Sequence, residues 1–150
     1  MNELKQKLFM QCLSYVQVRM EAAQQAIEAA QAASRDDTKS SAGDKYETGR
    51  AMMQQETDRN MAQLNEANKL KVTLNKINPG TVMNKADTGS VVITDNGNFY
   101  MAIGAGALLV AGQTYFAVSP GSPIGLKLKG LTEGQKFMLN NKIYIVKKVF

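Results

Sequence analysis

The chain contains no histidine and no tryptophan, and it has one cysteine and three prolines in 150 residues. Without histidine, a zinc site of the usual His/Cys type is excluded, as are Ser-His-Asp and Cys-His nucleophile systems. Cys12 stands alone, so no internal disulfide is possible; it falls on a helical face where a small hydrophobe would serve as well. No apolar run approaches the length of a membrane span, and the most apolar one, 103–112, is far too short. Glu3, Lys5, Gln6 and Lys7 precede any apolar run, which is the wrong order for a secretory signal, so the expected location is cytoplasmic. Any chemistry must therefore run on carboxylates, lysines, tyrosines or a site borrowed from a partner.

What is present describes a folded chain: 44% of residues are hydrophobic and 21% charged. The net charge of +5 is unevenly placed. Residues 1–75 carry 10 basic and 10 acidic side chains, whereas residues 76–150 carry 8 and 3. The whole excess belongs to the C-terminal half. It suits an anionic partner surface, protein or nucleic acid, and equally a lysine-rich coat that keeps a β-rich domain in solution.

Between residues 3 and 33 there is neither proline nor glycine, and strong helix formers abound. Phe9, Leu13, Val16, Met20, Ala23, Ile27 and Ala30 recur in alternating steps of four and three, which is a heptad seam. A second, weaker seam through Met53, Thr57, Met61, Leu64, Ala67 or Asn68, Lys71 and Leu74 predicts another helix over 45–75. Two long helices joined by a short polar tip make an antiparallel hairpin. "NPG" at 78–80 ends it.

Beyond that break, β-branched and aromatic residues predict strands at 91–94, 99–103, 115–118, 137–139 and 143–149, with turn chemistry at 95–98 and 140–141. Ser122 as N-cap, Pro123 at the first helical position and Gly130 past the end mark one short helix. "GAGALLVAG" at 104–112 lacks the Lys-Ser/Thr of a phosphate loop and reads as a loop or small-residue turn. The expected architecture is α+β: a coiled-coil hairpin over 1–77 with an acidic tip near 36–47, then a small antiparallel β domain over 78–150. Of the nine methionines, Met20, Met53 and Met61 fall on the hairpin seams, which points to core packing.

The tip carries the one constellation with chemistry in it. Asp44 and Glu47 in "GDKYET" are three residues apart, on one side of a helical turn. One reading is a capping box, in which both acids merely close the start of the second helix. The other is functional: two carboxylates hold Mg²⁺ weakly by themselves, but carried into another protein's active site they complete a metal site for phosphoryl chemistry. Asp36 and Asp37, flanked by Arg35 and Lys39, read as a solvated tip.

The combination resembles the Gre family of bacterial transcription elongation factors over nearly the whole chain. The family's tip motif "GDLSEN" stands beside "GDKYET" here, and its "SPLGRALLGKKVGD" aligns without a gap to "SPIGLKLKGLTEGQ" at 122–135, followed by "KIYIVKKV". The resemblance implies an FKBP-like C-terminal domain without isomerase activity that docks on RNA polymerase, and a hairpin inserted into the polymerase's secondary channel. It implies that Asp44 and Glu47 hold a Mg²⁺ shared with the polymerase and position a water that cleaves backtracked RNA. The chain would then be no enzyme and have no cofactor of its own; RNA and DNA are met through the elongation complex, with no membrane or small-molecule substrate. Arg50, Ser122, Pro123, Ile124 and Gly125 are the implied contacts to polymerase or RNA. Lys45, Tyr46, Thr48 and Ala51 depart from the family tip, and two alternatives go with that: a channel-binding regulator without cleavage activity, or a coiled-coil adaptor whose tip is only a cap.

Overall fold

The computed structural model describes residues 2–37 and 43–150, and the side chains of 2, 34–37 and 43–47 are not among those described. Two long helices come first, α1 (Asn2–Asp37) and α2 (Gly43–Asn75). Six strands and one short helix follow: β1 (Val91–Thr94), β2 (Gly97–Met101), β3 (Gly106–Val110), β4 (Gln113–Val118), α3 (Pro123–Leu128), β5 (Lys136–Leu139) and β6 (Lys142–Val149). The chain divides into two compact units. One is Val16–Leu70; the other combines Met1–Tyr15 with Lys71–Phe150.

The Val16–Leu70 unit is a helix pair. Val16 and Ala23 are buried on α1, with Met20, Ile27 and Ala30 half-buried on the same stripe. On α2 the buried stripe runs Met53, Thr57, Asn60, Leu64, Ala67, in steps of four and three. Met61, expected on this seam, is 50% exposed, and its place is taken by Asn60 at 7%. The side chain at 60 is polar, so hydrophobicity alone pointed one residue too far. Ala67, not Asn68, occupies the next position. Toward the tip, Gly49 and Met53 share a shallow cleft with Ala26, Ala29 and Ala30. Small residues on both helices let backbones come close there, since side-chain size sets interaxial distance.

In the other unit, six strands form one sheet in the order β3-β4-β2-β1-β6-β5. The sheet is mixed. Four pairings are antiparallel, but β2 and β4 run parallel, with Tyr100 opposite Ala117. The wholly antiparallel sheet expected from sequence is thereby corrected, and so is the loop expected at 104–112. Residues Gly106–Val110 form β3, which folds back onto β4 through a two-residue turn, Ala111 and Gly112, both at positive φ. That hairpin uses up the intervening chain, so β4 returns beside β2 in the same direction. Asn140 and Asn141, also at positive φ, make the equivalent turn between β5 and β6.

Each face of the sheet has its own cover. Val92, Phe99, Met101 and Val146 pack with Ala86 and with Leu128 of α3. The opposite face presents Val91, Tyr100, Tyr115 and Ala117, all buried, toward the start of α1 and the end of α2, where Leu8, Cys12, Leu74 and Ile77 are buried. On α1 the buried positions here are Leu8 and Cys12, with Phe9 and Leu13 half-buried. The seam thus shifts by one residue from the expected register, because this part of α1 packs on a sheet. Gln11 reaches the β3 edge and donates to the Leu109 carbonyl at 2.9 Å.

Candidate functional site

At the tip, α2 starts at Gly43, which puts Asp44 and Glu47 at the beginning of that helix, three residues apart. Their side chains lie outside the described residues, as do those of Asp36, Asp37, Lys45 and Tyr46. Arg50 is exposed on the following turn of α2. Because α2 begins one residue before Asp44, that residue lies in the helix's first turn and not at the N-cap that a capping box would give it. Among the described residues, no three cysteines, aspartates or glutamates come together as a metal site.

The second candidate cluster is the start of α3. Ser122 is its N-cap, in extended conformation, and its hydroxyl accepts from the Gly125 N–H at 3.1 Å while donating to the Ser119 carbonyl at 2.7 Å. Pro123 follows in the first turn, where its missing N–H is no loss. Gly125 is buried against the preceding loop: a Cβ there would stand 2.1 Å from the Ser119 carbonyl oxygen. Ile124 is half-buried and packs on the core below. The four residues therefore divide by position. Ser122, Ile124 and Gly125 build the helix start, whereas Pro123 is exposed, as is Leu126 at 65%, which lies in the same motif but was not among the implied contacts.

Past α3 the chain is tied back to the segment before β1. Gly130 N–H donates to Ala86 C=O at 2.7 Å, and Ala86 N–H to Leu131 C=O at 2.8 Å. Ala86 and Gly130 line an open cleft of ≈ 510 Å³ together with Lys85, Asp87 and Lys129. Two lysines and one aspartate give it a positive balance, in keeping with the basic C-terminal half.

Three ionisable side chains are buried in the sheet unit. Lys5 is 1% exposed and Tyr100 and Cys12 are fully buried. Burial pushes the Cys12 thiol up to about 12. The Tyr100 hydroxyl is raised as well, first by burial and then by the neighbouring Cys12. Both stay protonated across the physiological range, which makes Cys12 a poor nucleophile. Their periodicity on α1 and β2 is that of core residues, so only the polar atoms distinguish them.

No helix among the described residues is long and apolar enough to cross a membrane. Compared with known proteins, the chain matches no family model, no curated protein and no solved structure.

Proposed function

We propose that this chain is a Gre-like factor that binds RNA polymerase, enters its secondary channel with the α1–α2 hairpin and stimulates cleavage of backtracked RNA. The observation that carries this reading is the D-x-x-E pair, Asp44 and Glu47, at the very start of α2, at the turn of a hairpin whose arms are 36 and 33 residues long. From Val16 to Asp37, α1 alone extends ~33 Å at ~1.5 Å per residue, enough to carry a tip deep into a channel. The gapless likeness at 122–135 supports the same reading, because its residues are the ones that shape the start of α3. A Mg²⁺ ion in the polymerase's active centre supplies Lewis acidity and a water of lowered pKa. Asp44 and Glu47 add negative charge beside that ion, and Arg50 offers a cation one turn further along for RNA phosphate. RNA and DNA are reached only within the elongation complex, and the expected location is cytoplasmic. Under this reading the sheet unit is an FKBP-like docking domain and the helix pair a coiled coil.

A second reading has support of its own. Lys45 and Tyr46 stand between the two acids, and Thr48 and Ala51 follow them, where the family carries different residues. A lysine beside the acids competes with the metal, so a factor that occupies the channel without cleaving is the alternative.

The test uses purified RNA polymerase and a reconstituted backtracked elongation complex. The expected result is co-purification with polymerase and release of a short 3′ RNA fragment. Binding without fragment release selects the non-cleaving regulator, and absence of binding turns the hairpin into an adaptor for some other protein.

A further inference from the structure

β5 and β6 form the end of the sheet, with β5 as its edge strand. One face of this hairpin belongs to the core: Phe137 and Tyr144 stack there at 4.8 Å, on the side of Val146. The other face should be polar if it only met water, because a one-sided antiparallel sheet alternates apolar and polar residues. Instead Met138 is paired with Ile143, and Ile145 with Lys136. Met138, Ile143 and Ile145 are 56%, 50% and 43% exposed, three large aliphatic side chains contiguous on two strands. Such a patch marks an interaction surface more often than an isolated exposed residue does.

Charge says what kind of partner fits. Residues 134–150 contain Lys136, Lys142, Lys147 and Lys148, and no acid. Lys136 lies on the aliphatic face beside Ile145, and Lys148 is on that same face opposite Ile93 of β1. The Asp95 carboxylate, from the β1–β2 turn, is engaged with the Ile145 N–H at 2.8 Å, and Glu133 precedes the hairpin. We infer that this face is a docking site for an acidic amphipathic helix of a protein partner. Its apolar stripe would lie on Met138, Ile143 and Ile145, and its carboxylates would meet Lys136 and the neighbouring lysines.

The other occupants fit less well. A second copy docked face to face opposes lysines to lysines. Single-stranded nucleic acid needs rings to stack on, and this face is aliphatic. An added strand gains little, because β5 has only four residues and an antiparallel edge offers every second one. The inference goes beyond the polymerase reading, since it names a surface and a partner chemistry that hold for any protein carrying such a helix.

The test is an amide chemical-shift titration of the full chain with a synthetic helical peptide. The peptide carries Leu at i, i+3, i+4 and i+7 spacing and Glu elsewhere; its counterpart has Lys in place of every Glu. The Glu peptide is expected to bind with shifts centred on 136–148, and the Lys peptide not to bind. Ile143→Asp should weaken the Glu peptide about tenfold or more, as loss of a central apolar contact does. It should leave the thermal midpoint unchanged, since Ile143 is exposed. Equal binding of both peptides, shifts elsewhere or an unaffected Ile143→Asp variant overturns the proposal. So does self-association, or sedimentation with phosphatidylserine vesicles, that Ile143→Asp abolishes.

Discussion

The ammonium of Lys5, on the second turn of α1, donates to the backbone carbonyl of Thr81 at 2.6 Å. A lysine that is 1% exposed and bonded to a neutral carbonyl is held there against the preference of its charge for water. Burial lowers its pKa from the ordinary 10.5. The unfolded chain therefore binds this proton more tightly, and the charged lysine weighs against the folded state at neutral pH. That penalty fades as pH rises from the lowered folded value toward 10.5. Lys5→Met removes the charge and keeps most of the volume. The variant should lie within about 1.5 kcal/mol of wild type in urea unfolding at pH 7. Any advantage it has there should shrink as the pH approaches 10.5. Lys5→Ala, which leaves a cavity and an orphaned carbonyl, should lose about 2–4 kcal/mol.

Cys12 titrates with the opposite sign. Its folded pKa is raised to about 12 from 9.0. Between those values the unfolded chain has lost the thiol proton and the folded chain keeps it. The stability is fully present below pH 9 and is lost as pH climbs toward 12. Tyr100, raised above its ordinary 10.0 by burial, acts in the same direction from pH 10 upward. Cys12→Ala should flatten the part of the decline that begins near pH 9. In native wild type, a thiol reagent at pH 8 should label Cys12 only at the rate of unfolding; fast labelling of the folded protein contradicts that burial.

Gly125 is fixed by space rather than by φ. A methyl at its Cα would meet the Ser119 carbonyl oxygen at 2.1 Å and the Pro120 carbonyl oxygen at 2.9 Å, both backbone atoms that cannot swing aside. Gly125→Ala should lower stability by at least about 3 kcal/mol, at the upper end of overpacking. Ser122→Ala, which deletes only the cap, should cost about 1 kcal/mol. Thermal unfolding of the two variants separates them, and equal losses would mean that the loop yields more easily than its packing indicates.

The helix boundaries and the start of α3 were legible because single residue types enforce them. Over 3–33, strong helix formers and a four-three apolar seam run without a Gly or Pro to break them, and Ser122-Pro123 with Gly130 brackets a short helix. β3 was not legible. Its Gly106 and Ala107 resemble loop chemistry, and only pairing with Ala117 and Phe116 makes them a strand. The aliphatic face of β5–β6 was hidden for a related reason. In "KIYIVKKV" apolar residues stand at consecutive positions, so period-2 alternation cannot say which of them faces the core. At the candidate site, the sequence suggested a helix over 45–75 with Asp44 as a possible cap, whereas α2 begins at Gly43 and takes Asp44 into its first turn; what the two acids act on depends on a partner's geometry, which no local pattern encodes.

Asn60 illustrates a core position that hydrophobicity misplaces. It is 7% exposed, and its side-chain nitrogen is buried without a hydrogen-bond partner among the described residues. An unpaired buried amide costs about 1–3 kcal/mol, so Asn60→Leu should raise the thermal midpoint. Polar residues on a helix seam also fix register, at a cost in stability. The same variant should then show altered helix pairing or self-association by sedimentation. A stabilised variant that keeps the wild-type state assigns Asn60 no such role, and a destabilised one means its amide is satisfied by water.

Asp44→Asn with Glu47→Gln separates a part in starting the helix from catalysis. Asp44 is the second residue of α2, and asparagine and glutamine there keep the side-chain shape and give up only the charge that favours a helix N-terminus. The double variant should therefore lose no more than about 1 kcal/mol in stability. It has lost both negative charges, and a hard cation such as Mg²⁺ binds carboxylate oxygen far better than amide oxygen in a site of so few ligands. If the two acids act on a metal in the polymerase, RNA cleavage should fall by at least about a hundredfold, of the order lost when a single charge-stabilising group is removed. Affinity for polymerase should stay the same. Raising the Mg²⁺ concentration should then restore part of the cleavage in the variant, because the defect is one of metal occupancy. A variant that cleaves like wild type leaves Asp44 and Glu47 only a part in starting α2, and one that unfolds shows that the helix start needs their charge.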